Sequence, residues 1–438
     1  MLEKLFKLKE HGTDLQTEIL AGITTFMAMA YIIAANPMIL AAAGMDKGAV
    51  ALATCLVSGL ITLTMGLWAN YPIALAPGMG INAFFAYSIC AGMGVPWPVG
   101  LGMFFVEGVI ILAITMTRLR ETVINAIPFS LKCAISVGIG LFLAFIGFEN
   151  AGLLEHHPVT FVTMSRICAP QVWPKVLLAS LVIVLTTVLL IKRVKGAILM
   201  GILFGTLLNF IPLFHTSGES PSLISASLST VFLKLDIMGA LKLKFAVLIF
   251  TLLFVDFFDT AGTIIGISVK AKFLDDRGRI PRLGRVLVAD SLGPITGALV
   301  GTSTVTSYIE SAAGIEEGGR TGLTAVVTGI LFLLAMLAAP LVGLVPQAAV
   351  APALIIVGIM MMEPVLKIDY SDYSEAVPAF ITIAAMPFTY SISNGIALGF
   401  LSYVLVKLLS GRGRFVPPAM FVLAGFFLLF FLASPTFR

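Results

Sequence analysis

Apolar residues fall in long continuous runs separated by short polar connections. The runs lie at 18–36, 48–69, 72–92, 97–117, 122–147, 174–191, 196–214, 243–267, 284–300, 302–316, 321–340, 342–363, 376–392 and 394–409, as segments 1 to 14. Most approach the ~20 apolar residues that carry a helix across a hydrocarbon core. Transmembrane β-strands would instead read as ~10-residue alternating stretches. The pattern predicts an all-α polytopic membrane protein of about fourteen transmembrane segments. A further run at 416–434 is a fifteenth span or a re-entrant or interfacial helix.

Segments 3 and 10 break the pattern. Segment 3 carries Pro72, Pro77, Gly78 and Gly80 in mid-run. Segment 10 opens with hydroxylated and β-branched residues, Thr302 to Ser307, and then places Glu310 at its midpoint. Proline removes a backbone donor, and β-branched residues are weak helix formers. Each segment is therefore expected to be part extended and part half-helix, which at membrane depth requires burial in protein or a cavity. One is third of the first seven and the other third of the second seven. The fifth segments also match loosely: Ile127-Pro128 leads to Gly138 and Gly140, and Val345-Pro346 leads to Gly358. Seven is odd, so the second set runs inverted. Interrupted segments at matching places in two inverted halves point to a transporter's central site. The halves are expected at 1–215 and 243–410.

Composition narrows the class further. Of 438 residues, 59% are apolar and 11% charged, with mean hydropathy +1.05. A soluble domain carries about 25% charged residues. The net charge of +4 gives no footing for nucleic acid. Lys and Arg gather at Lys4–Lys9, Arg118/Arg120, Lys192–Lys195, Lys270–Arg285, Arg320, Lys367 and Arg412/Arg414. With the N-terminus cytoplasmic, these fall on one side, as the positive-inside rule asks. The connections 37–47, 149–173 and 215–242 carry few basic residues and are expected outside. The first run follows a charged start and has no small-residue cleavage site, so it reads as a retained span. Cys55, Cys90, Cys133 and Cys168 have no metal or disulfide spacing.

Carboxylates inside spans carry the chemistry. Each costs about 2.5–3.5 kcal/mol at mid-bilayer and usually faces a cavity. Asp259 sits in the middle of segment 8, and Glu310 opens the half-helix of segment 10. Both can accept N–H bonds and carry a proton, and free half-helix N–H groups can donate. The set suits a neutral heterocycle with N–H and C=O groups and repels an inorganic anion. Asp256, three residues before Asp259, shares its helix face and is expected as a supporting partner. Asp290 reads as a salt bridge or cap, and Glu107 as bonding across helices. Asn82 either caps the half-helix of segment 3 or binds ligand. Phe84, beside the break, could stack on a planar ligand, as could Phe85 and Tyr87. Asn394-Gly395 reads as a turn. His11, His156, His157 and His215 lie in loops or at span ends.

Six ordered motifs then identify a resemblance. Ala21 through Tyr31 to Asn36-Pro37, Ala76 through Ala86, Phe258 through Thr263, Gly301 through Ser311, Gly318 through Gly322 and Glu375 through Phe380 resemble the azaguanine-type (AzgA-like) purine permeases. These are a branch of the nucleobase–cation symporters related to uracil and xanthine permeases. The resemblance implies fourteen spans in a seven-plus-seven inverted repeat, with a core domain at about 18–117 and 243–340 and a gate domain at about 122–215 and 342–410. It implies purine binding between segments 3 and 10, driven by proton symport. By motif, Asp259 and Glu310 match the family's substrate-binding carboxylates, and Asn82 its essential asparagine. Thr263 and the backbone around Ala83, Phe84 and Ile309 match positions that contact the base. Thr25 lies in the first motif as a supporting position. Asp372 or Glu375 matches an acid before segment 13. Asn394 departs from the acid that relatives carry there.

The leading expectation is an importer of hypoxanthine, guanine or adenine by proton symport with alternating access, multi-pass in a bacterial plasma (inner) membrane. Partners are the purine, the lipid bilayer and a possible second copy. No cofactor is expected. A proton is favoured over Na⁺ because carboxylates carry it alone, although the hydroxyls of Thr302–Ser307 keep Na⁺ open. An anion exchanger on the same fold is the alternative, disfavoured by Glu310. An intramembrane enzyme lacks its residues: the histidines are peripheral and Asp275-Asp276 stands alone.

Overall fold

The computed structural model describes residues 2–117, 128–157, 160–167, 169–170, 172–214, 227–270, 273, 280 and 282–433. Helices follow the apolar runs, and nine of those described are long and apolar enough to cross a membrane. Side chains at several helix starts take up first-turn N–H groups, which have no intrahelical partner. Asp14 accepts from the Thr17 N–H at the start of segment 1 (Leu15–Met29), and Asp46 from the Ala49 N–H at 2.7 Å at the start of segment 2 (Lys47–Thr64). Segment 1 breaks at Ala30 and Tyr31 and resumes as Ile32–Ala41. Segment 2 ends at Asn70, whose φ of 54° is left-handed. Its amide donates to the Phe6 carbonyl at 3.2 Å and accepts from the Gly322 N–H at 2.7 Å, tying the N-terminal helix to segment 11.

Four short strands lie among the described residues: β1 (Leu75–Pro77), β2 (Leu154–His157), β3 (Phe161–Met164) and β4 (Val305–Ser307). β1 and β4 are the extended pieces of segments 3 and 10, paired antiparallel with Leu75 opposite Ser307 and Pro77 opposite Val305. An inverted repeat brings its matching third segments together in this way. The surrounding hydroxyls complete the buried backbone. Thr62 Oγ1 accepts from the Leu75 N–H at 2.9 Å and donates to the Leu75 carbonyl at 3.1 Å. Ser311 Oγ accepts from the Ala74 N–H at 3.0 Å, and the Thr304 carbonyl from the Gly78 N–H at 3.1 Å. Helix resumes at Met79 and runs to Gly92, its last nine residues wound as π-helix. After β4 the half-helix is only Ser311–Glu316.

Helices of segments 1–4 pack mainly on those of 8–11, and helices of segments 5–7 mainly on those of 12–14. Segments 5 and 12 cross at paired glycines. A Cβ on Gly140 would lie 2.6 Å from the Gly358 carbonyl, and one on Gly358 2.5 Å from the Gly140 carbonyl. The loosely matching glycines of the two halves are thus one crossing point.

Several boundaries differ from the sequence reading. Segment 5 runs from Phe129 to Asn150, three residues past its expected end. Residues 122–127, with Arg118, Arg120, Cys168, His215 and Asp275-Asp276, lie outside the described residues. The connection after segment 5 holds the β2–β3 hairpin, whose four-residue strands are too short to register as apolar runs. The 416–434 run forms the helix Pro418–Ala433. It packs on segments 8 and 14 through Phe427, with ring centroids 5.9 Å from Phe250 and 5.7 Å from Phe400. At 1.5 Å per residue its sixteen residues span about 24 Å, short of a ~30 Å hydrocarbon core.

Candidate functional site

A cavity open at its mouth lies where the two broken segments meet. Segment 3 contributes Gly78, Met79, Gly80 and Ile81; segment 8 contributes Val255, Asp259 and Thr263. Segment 10 adds Ser307 through Glu310, and segment 1 adds Tyr31 at its break. The opposite wall is Ile139 and Leu143 of segment 5 with Val357 and Met361 of segment 12. Segment 3 thus presents the first turn of a helix, whose N–H groups have no intrahelical acceptor. No Lys, Arg or His lines the cavity among the described residues.

The two carboxylates are held differently. Glu310 takes a hydrogen bond on Oε1 from the Tyr31 hydroxyl at 2.7 Å. Asp259 Oδ2 is 3.4 Å from Thr306 Oγ1, a long contact that leaves it available to a ligand. The cavity therefore offers acceptors from two acids and donors from backbone, between apolar walls. Such a site can grip a flat neutral ring with both N–H and acceptor atoms on its rim. It disfavours an anion, which would face two carboxylates.

Glu310, Asp259, Thr263 and Ile309 line this one cavity. Asn82, Ala83 and Phe84 do not. All three are fully buried one turn behind its wall. Asn82 Nδ2 donates to Asn36 Oδ1 at 2.6 Å, and Asn36 Nδ2 donates to Thr54 Oγ1 at 2.8 Å and Thr302 Oγ1 at 2.9 Å. Asn82 thereby joins segments 1, 2, 3 and 10. It does not cap its helix, and Phe84 has no face open for stacking. Phe85 packs on Phe104, with centroids 5.1 Å apart. Tyr87 lies further along segment 3 and accepts from Asn150 Nδ2 at 3.1 Å.

Asp256 does not line the cavity and lies beside the Glu107 carboxyl of segment 4. Glu107 thus reaches across helices, as expected. Asp290, expected to pair or cap beside the basic loop, is buried in the middle of the fold. It accepts from Thr260 Oγ1 at 2.8 Å, Ser307 Oγ at 2.8 Å and the Ser307 N–H at 3.0 Å, holding β4 against segments 8 and 9. Thr25 is buried against the half-helix of segment 10, where a Cβ on Gly314 would lie 2.1 Å from its Oγ1.

The acids before segment 13 lie away from the cavity. Asp372 caps that helix and receives Arg412 at 2.8 Å. The Ser374 hydroxyl and N–H, with Arg412 beside them, hold its carboxyl below the usual aspartate range. Glu375 pairs with Lys407 at 2.6 Å and accepts from Ser130 and Tyr403. Asn394 sits in the first turn of segment 14 (Ile392–Leu409), where its N–H donates to Ser391 Oγ, so it belongs to a helix start and not to a turn.

Sequence reasoning singled out neither Tyr31 in the lining nor Asn36 behind it. Their only signal was position at the end of the first-span motif. On either side of the cavity, further contacts join the two groups of helices. Where segment 3 ends, Ser88 Oγ donates across to the Tyr390 carbonyl at 2.6 Å, and within its own group Tyr390 donates to Glu149 Oε2 at 2.7 Å. Tyr390 also packs edge-on against Tyr87, Phe142 and Phe145. Toward the N-terminal side, Lys195 pairs with Glu317 at 2.6 Å.

Comparison with known proteins agrees with this architecture. The transmembrane domain of a cyanobacterium bicarbonate transporter, BicA, superposes with a TM-score of 0.65 at 16% identity, over 91% of this chain and 97% of that one. SLC26A9 superposes with a TM-score of 0.63 at 10% identity, over 90% and 66%. These likenesses establish the fold: a seven-plus-seven inverted repeat with core and gate domains. In sequence, the chain is 44% identical to the adenine permease AdeP of Escherichia coli, over 98% of this chain and 95% of that protein. It is 42% identical to the guanine/hypoxanthine permease PbuG of Bacillus subtilis, over 98% and 99%. It is 40% identical to the nucleobase transporter PlAzg2 of Paenibacillus larvae, over 90% and 78%. The profile of the permease family matches residues 16–398, and with relatives aligned along nearly its whole length this chain is a member of that family.

Proposed function

We propose that this chain carries purine nucleobases across the membrane by proton symport with alternating access. One observation supports the reading above others: Glu310 and Asp259 line a single cavity that also holds the first turn of a helix and no basic side chain. Glu310 accepts an N–H from the base edge, Asp259 accepts from the base or carries the proton, and the segment 3 backbone donates to a ring nitrogen or carbonyl. The named adenine and guanine/hypoxanthine permeases among its relatives have the substrates this chemistry suits. We assign the core to about 18–117 and 243–340 and the gate to about 122–215 and 342–410. The N-terminus is cytoplasmic, the membrane is the plasma membrane, and two copies associate as a homodimer.

The test is uptake of labelled hypoxanthine, guanine and adenine in cells lacking their own carriers, with and without a protonophore. Uptake of at least one purine that collapses with the protonophore is expected. Normal membrane expression with no purine uptake would refute the reading. Uptake that survives the protonophore but requires Na⁺ would replace the coupling ion.

A further inference from the structure

The Tyr31–Glu310 contact bears on which purine the cavity prefers. Tyr31 is 1% exposed and stands at the break of segment 1, so its ring is fixed by packing. Its hydroxyl donates to Glu310 Oε1 at 2.7 Å. Among the described residues, no other side chain donates to this carboxylate. One oxygen of Glu310 thus has one of its two lone pairs taken, with a phenol ring on its flank, and is the weaker acceptor for a ligand. Two parallel N–H donors bind best to two free carboxylate oxygens, as in bidentate pairs. Guanine presents such a pair on one edge, its N1–H beside its 2-amino group. Hypoxanthine presents the N1–H alone.

We propose that Tyr31 is a specificity-determining residue: by taking one of the two lone pairs of one Glu310 oxygen it weakens and partly screens that oxygen as an acceptor, so that the 2-amino group of guanine adds little affinity. The 2-amino group gives up water for only a weakened partner, and hypoxanthine binds at least as well as guanine. Removing the Tyr31 hydroxyl restores the full acceptor strength of that oxygen and shifts preference toward guanine. This inference rests on the purine reading given above.

The experiment is competition of unlabelled guanine and hypoxanthine against uptake of labelled hypoxanthine, in wild type and in Tyr31→Phe. In wild type, guanine should inhibit no more strongly than hypoxanthine. In Tyr31→Phe, the guanine-to-hypoxanthine affinity ratio should rise by about ten-fold or more, the worth of one added hydrogen bond to a charged group. A wild-type protein that prefers guanine by about ten-fold or more would overturn the proposal, as would an active Tyr31→Phe protein with an unchanged ratio. The wild-type comparison decides alone if Tyr31→Phe fails to accumulate. Absence of any purine uptake by wild type would strike the underlying reading instead, and is distinguishable on that ground.

Discussion

Asp259 and Glu310 sit in a cavity whose described lining holds no cation. A carboxylate in a membrane segment is costly, and the cost is tolerated where the group binds something. Replacing Glu310 by Gln keeps the shape but removes the charge that strengthens a hydrogen bond to a base N–H. The loss is the difference between a charge-assisted and a neutral hydrogen bond, about 1–1.5 kcal/mol, so Glu310→Gln should raise the half-saturation concentration for purine uptake roughly five- to twelve-fold at unchanged membrane level. Asn82→Ala should behave differently. It leaves the lining intact but strips Asn36 Oδ1 of its donor, which costs about 1–3 kcal/mol. A lower melting temperature in detergent is expected, and a variant as stable as wild type would count against the role drawn for this network. At this scale the sequence revealed the acids, because a charge inside an apolar run stands out. It did not reveal Tyr31, since an aromatic in a span reads as core until a partner from a segment far along the chain is known. Asn82, Ala83 and Phe84 were placed near the break but not behind its wall, because the helix phase there depends on how β1 docks.

Prolines and glycines announced that segments 3 and 10 are broken, and hydroxyl-rich sequence announced an extended start to segment 10. Which residues oppose which was hidden, since the register of β1 on β4 is imposed by neighbours. Segment 9 is one of them. A Cβ on Gly293 would lie 2.0 Å from the Val305 carbonyl, and one on Gly297 2.2 Å from the Ser303 carbonyl. The helix needs bare backbone there for the strand to lie against it. Gly293→Ala forces the two apart, and overpacking of this kind costs about 1–3 kcal/mol. The variant should melt earlier and lose purine uptake. Full uptake with unchanged stability would show that β4 does not depend on this approach. The β2–β3 hairpin was invisible for a simpler reason: no apolar run marks it.

Across the whole molecule, the two groups of helices are joined beyond the cavity by the contacts of Tyr390 with Ser88 and Tyr87. In the proposed transport cycle this is the outer seal, and it must part for the site to open outward. Tyr390→Ala keeps the backbone carbonyl that Ser88 donates to but removes the ring contact with Tyr87, together with the ring packing and Glu149 bond that hold Tyr390 in place. In a background freed of native cysteines, a single cysteine at Ile139 should then label faster with an impermeant maleimide added outside whole cells. Labelling as slow as in the parent would exclude Tyr390 as a closure. The order of the segments follows from the apolar runs, so the succession of helices was readable. The seal was not, because its members are ordinary polar and aromatic residues near span ends.

The pairing of β1 with β4 also has a consequence for how the protein is made. The Tyr308 hydroxyl donates to the Pro77 carbonyl across 231 positions of chain. At about 5–20 residues per second, the partner of segment 3 leaves the ribosome roughly ten to fifty seconds after segment 3 itself. For that interval the extended backbone at Ala74 and Gly78 has no ladder to join, and open hydrogen-bonding groups are costly in lipid. The nascent first half therefore has to wait in a shielded place, beside the insertion machinery or a chaperone. A chain truncated before segment 10 should be degraded rather than stored.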